Sequence, residues 1–101
     1  MYMKLPISRQ EENTFPAFGS HEEAATFFKQ RFGSDFVFET AETIGDMKCY
    51  FYSVVSDHET YYKGRRLLVK GQSVSGDLGL QFLMSHQPVQ IMENGNVHIV
   101  H

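Results

Sequence analysis

Apolar and polar positions along this chain fall into periodic segments separated by glycine, proline and polar runs, and each period predicts an element. In residues 20–33, Ala24, Phe28 and Phe32 recur at four-residue spacing beside Ala25 and Phe27, the stripe of an amphipathic helix. Ser20 and Glu23 have capping-box spacing, Lys29 and Arg31 suit the negative end of the helix dipole, and Gly33 stops it. Residues 36–44 and 47–55 read as strands joined by a two-residue turn at Gly45-Asp46. Pairing Ile44 with Met47 puts Phe36, Phe38, Cys49, Phe51 and Val55 on the expected core face. Tyr50 and Tyr52 then fall on a wetter face.

Residues 56–71 read as a second helix, with Ser56 and Glu59 as a capping box and Gly71 as a left-handed exit. It carries the chain's densest positive charge (Lys63, Arg65, Arg66, Lys70) beside Tyr61 and Tyr62. Gly64 costs up to ~1 kcal/mol against alanine inside a helix, which predicts close backbone approach to a neighbour. Residues 80–86 are apolar on nearly every side and fit a short helix or a strand; helix is the assignment, stopped by Pro88. Residues 89–92 and 97–100 flank Asn94-Gly95, a strong hairpin signal. A two-residue turn there leaves both hairpin faces apolar, with Val89 and Ile91 on one and Val97 and Ile99 on the other.

The order α-β-β-α-α-β-β predicts a small single-domain α+β protein: a mainly antiparallel sheet with helices packed on one face. The domain is expected over residues 20–101, behind a partly disordered N-terminal arm of residues 1–19. Phe15 and Phe18 in that arm either pack back on the domain or meet a partner.

Composition narrows the classes. At 101 residues and 42% apolar, the chain can bury a core without metal or disulfide staples. A formal charge of −3 gives no general attraction to nucleic acid or anionic membrane. No apolar run approaches the roughly 18 to 20 residues of a membrane span, and the first ten residues lack a signal peptide's apolar core. The single Cys49 fits a reducing, cytoplasmic setting.

Chemistry-bearing motifs are sparse. His98 and His101 stand three apart on a predicted strand, where side chains alternate between faces and cannot converge on a metal. Cys49 falls on an apolar strand face, where a thiol is filler and not a nucleophile. No nucleophile elbow, zinc-protease motif or phosphate-binding glycine loop occurs, so neither an enzyme nor a cofactor is expected. Gly76-Asp77-Leu78-Gly79 has G-x-x-G spacing between two predicted helices and ahead of a strand. That arrangement resembles the KH fold, and the resemblance implies a loop that clamps a nucleotide backbone. Asp77, however, sets a negative charge where a phosphate would lie.

The expected function is non-enzymatic association with a protein partner or with a second copy, a homodimer, through Phe15, Phe18, Ile91, Val97 and Ile99. The alternative is a nucleic-acid-binding module using Lys63, Arg65, Arg66, Lys70, Gly76 and Gly79. A small-molecule or metal site around His58 and His86 is a third reading.

Overall fold

Helices begin where a side chain can take up the unpaired amides of the first turn. In the computed structural model, which describes residues 6–72 and 76–101, Ser20 Oγ accepts the Glu23 N–H at 3.2 Å and opens helix α2 (His21–Phe32). A one-turn helix α1 (Arg9–Glu12), capped by Ser8, precedes it. Strands β1 (Phe36–Ile44) and β2 (Met47–Val55) follow, with Ile44 opposite Met47 as the turn signal predicts. Helices α3 (His58–Val69) and α4 (Gly76–Met84) come next, then β3 (His86–Met92) and β4 (Val97–Ile99). All strand pairs are antiparallel, in the order β1-β2-β3-β4. The expected α+β class and element order are present, with α1 added in front. Residues 80–86 divide between the end of α4 and the start of β3.

The faces of the sheet differ from the expected ones at two places, each an extra residue. At Glu39 the β1–β2 register shifts: Phe38 faces Tyr52, while Thr40 faces Phe51. A bulge of this kind turns the strand by one residue, so Phe36 and Phe38 join Tyr52 and Val54 instead of Phe51. On β2 the core face is therefore the one assigned as wetter, with Tyr52 buried within it, while Phe36 keeps its expected place in the core. At the C-terminal hairpin, Ile91 pairs with Val97 and Val89 with Ile99. The turn is Glu93-Asn94-Gly95, not Asn94-Gly95 alone, with Gly95 at φ 94°. The three-residue loop brings all four apolar side chains to one face. The second apolar hairpin face, on which dimerisation was expected, does not exist.

Helix α2 closes the core face: Ala24 and Phe28 are fully buried against Phe36, Tyr52, Val89 and Ile91. Burying one such aromatic contributes ~1.5–3 kcal/mol. The arm packs back as well. Phe15 meets Phe27 and Phe28 edge-on at 5.0 and 5.6 Å. Ile7 is fully buried, and its backbone is held by Gln87, which accepts the Ile7 N–H and donates to the Ile7 carbonyl, both at 2.9 Å. Packing is thus continuous across residue 20, where the domain was expected to begin; the arm's residues 1–5 lie outside the described residues.

One-sided helix packing holds for α2 alone. Helices α3 and α4 lie at one end of the opposite face, where Val55 and His86 pair and the Tyr61 ring meets His86 edge-on at 4.9 Å. Gly64 fulfils its expected role there: an added Cβ would collide with the Phe82 ring of α4.

Candidate association surface

The orientation of α3 is set by its ends and by one half-buried carboxylate. Its cap is Asp57, not Ser56: Asp57 Oδ1 accepts the Thr60 N–H at 3.2 Å and Oδ2 the Thr60 hydroxyl at 2.7 Å. These bonds to Thr60 hold the Asp57 carboxyl below its usual pKa. Ser56 Oγ instead donates to the Ser85 carbonyl at 3.0 Å. At the far end Gly71, φ 76°, donates to the Leu68 carbonyl and Gln72 to the Leu67 carbonyl, the paired bonds of a Schellman stop.

Glu39, displaced by the bulge, reaches under the helix. Tyr61 donates its hydroxyl to Glu39 Oε2 at 2.9 Å, Arg65 donates to Oε1 at 2.6 Å, and Ser53 donates to Oε2. Burial, reinforced by the Glu39 charge, pushes the Tyr61 phenol up to about 12, so it remains a donor. His86 beside it is held below its usual pKa by burial. This carboxylate already has three donors. It therefore positions α3 over the bulge. Nothing local in the sequence marks the cluster except the run Phe38-Glu39-Thr40, where apolar alternation breaks.

With Tyr61 and Gly64 turned inward, helical geometry turns Tyr62, Arg66, Val69 and Lys70 outward. With Arg65 they line a shallow, open groove of about 320 Å³. Val69 is 81% exposed and Leu68 49%, while Leu80 and Leu83 on α4 are 60% and 67% exposed. Helix α4 carries Leu78, Leu80, Phe82, Leu83 and Met84 and buries none of them fully. A helix apolar on all sides is ordinarily an interior one.

The residues singled out from sequence separate into different surroundings. Phe15, Phe18, Val97 and Ile99 do come together, around a cleft of about 210 Å³ between the arm and the hairpin turn. Ile91 and Ile99, however, are 0% and 3% exposed; they belong to the chain's own core and present no surface. Lys63, Arg66 and Lys70 are exposed along α3, whereas Arg65 is bound to Glu39. Gly76, at φ 63°, opens α4, and Gly79 lies in its first turn. His58 is an exposed partner of Asp35 at 2.7 Å, while His86 is buried between Tyr61 and Phe82.

Among the described residues, no three His, Cys, Asp or Glu side chains gather to hold a metal ion, and no helix is long and apolar enough to cross a membrane. A separate polar contact lies at the start of α2. His21 Nε2 is 2.7 Å from the Tyr52 hydroxyl, and its ring stacks on Tyr50 at 3.5 Å. Burial lowers the His21 pKa and raises that of Tyr52, so both favour their neutral forms.

The chain matches no family model, no curated protein and no solved structure.

Proposed function

We propose that this chain is a non-catalytic binding domain that associates with another protein through the outer side of α3 and α4. One observation carries the reading: among the described residues, of the eight large hydrophobic residues that stand exposed, five (Tyr62, Leu68, Val69, Leu80 and Leu83) are on these two helices. Clustered exposed apolar surface on a small domain marks an interaction site more often than scattered single residues do. The engaged state of Glu39, whose oxygens are taken up by Ser53, Tyr61 and Arg65, supports binding over turnover. Cys49, the only cysteine, is buried beside Met92 with its sulfur 3.0 Å from the thioether. That placement fits a packing role and a reducing, cytoplasmic setting.

The test is photo-crosslinking in the native host. A photoreactive residue at Val69 or Leu83 should yield a discrete adduct, and one at exposed Thr43 should not. A product of twice the chain's mass identifies a second copy; a different discrete mass identifies another protein. Equal, diffuse labelling from all three positions would refute an association surface here.

A further inference from the structure

We infer that the α3 groove takes an acidic segment of another protein that also carries aliphatic side chains, and that a second copy of this chain is not its occupant. The inference rests on the association reading above and names the chemistry of the partner.

Two features of the groove combine. Its floor is shallow and apolar, formed by Tyr62 and the strongly exposed Val69, two turns apart on one face of α3. Its rim is cationic, with Arg66 and Lys70 exposed and Lys63 on the same exposed row. Four of the chain's nine Lys and Arg residues lie within residues 63–70, three of them besides the Glu39-paired Arg65, although the chain as a whole carries −3. The groove is thus a local positive island on an acidic protein. A partner with matching chemistry would set carboxylates against Arg66 and Lys70 and bury a leucine-like side chain on Val69. Charge complementarity of this kind steers encounter and excludes wrong partners.

The same row disfavours self-pairing. A two-fold dimer sets one patch against its own copy. The exposed row offers Lys63, Arg66 and Lys70 against the single carboxylate of Glu59, so two copies would bring mostly like charge together. Nucleic acid would satisfy the cations but would leave Val69 and Leu68 uncovered. An acidic, aliphatic protein segment accounts for both floor and rim.

Fluorescence anisotropy on the full chain tests this with three labelled probes: a peptide of Glu-Glu-Leu-Leu repeats, its Lys-Lys-Leu-Leu counterpart, and oligouridylate. The acidic peptide should bind with saturation, and the other two should not. Val69→Asp should weaken it by roughly tenfold or more, the equivalent of about 1.4 kcal/mol. Arg66→Glu combined with Lys70→Glu should reverse the preference, so that the lysine peptide binds instead. Circular dichroism of each variant establishes that α3 remains folded. The proposal is overturned if the acidic peptide fails to bind, if oligouridylate or the lysine peptide binds the unaltered chain more tightly, or if the charge reversal leaves the preference unchanged. A discrete photo-crosslink at Val69 together with any of these results would leave the association surface standing and remove only its acidic partner.

Discussion

The two helical layers of this molecule are built from similar side chains and end in opposite states. Helix α2 turns Ala24, Ala25 and Phe28 onto the sheet and is itself overlaid by Phe15 and Phe18 of the N-terminal segment. Helices α3 and α4 touch each other at Gly64 and Phe82 and meet the sheet chiefly through Tyr61, His86 and the Glu39 cluster. Their aliphatic residues remain outside. The difference is one of anchoring. The α2 layer is held by area removed from water, the non-directional term that dominates stability. The α3–α4 layer is held by one aromatic cluster, Tyr61 with Phe82 and His86, and by directional bonds to one carboxylate, which leave its other apolar residues unused. A helix pair fixed in this way keeps its apolar flank available.

The sharpest way to break this comparison is to empty each layer in turn. Phe28→Ala should lower the unfolding free energy by ~3–5 kcal/mol, because a fully buried ring is replaced by a cavity; urea denaturation measures it. A loss under ~1 kcal/mol would mean that the α2 layer is not the principal core. Gln87→Leu removes the amide that pairs with both backbone groups of buried Ile7. Leaving them unsatisfied should cost ~1–3 kcal/mol. Limited proteolysis should then cut within residues 8–19 faster than in the unaltered chain.

Gly64→Ala sets the usual helix-propensity gain against a collision with Phe82. The collision should prevail, at ~1–3 kcal/mol, with faster amide exchange in α4 and little change in α2. Net stabilisation would show that the two helices are not pressed together. Acidification probes both layers. Burial lowers the pKa of His21 and His86 in the folded chain below the ordinary 6.5, so the unfolded chain takes up protons first. Their contribution is complete above pH 6.5 and declines as the pH falls through the range below it. His86→Phe should therefore flatten the fall in melting temperature between pH 7 and pH 5; an unchanged slope would count against burial of a neutral ring. The smallest expected effect is Val69→Asp, within about 0.5 kcal/mol in stability, despite its predicted effect on partner binding. A large loss of stability there would place Val69 in the fold and not on a docking surface.

Much of this architecture can be read locally. The Ser20 cap, the Gly33 and Gly71 exits, the Gly45-Asp46 turn and the tight approach at Gly64 each depend on a residue's own conformational or capping chemistry and its near neighbours. Such signals survive in the folded chain because nothing distant competes with them. Ser56 yielded its expected cap to Asp57 because a partner 29 residues away, the Ser85 carbonyl, engages its hydroxyl. The candidate surface was legible only in part: the cations of α3 were visible, but not the exposure of Val69 or the commitment of Arg65 to Glu39.

What the sequence by itself determined is the order and type of the elements, the helix stops and the cationic row, since these follow from short-range spacing. Which side of the sheet became core was decided only in the tertiary structure. The bulge at Glu39 and the three-residue turn at Glu93-Asn94-Gly95 each insert one residue into a period of two, and each changes which residues of the paired strands share a face. The energies that favour those insertions come from contacts far along the chain, Glu39 with Tyr61 and Arg65 and the hairpin with α2 and the arm, and no local pattern encodes them.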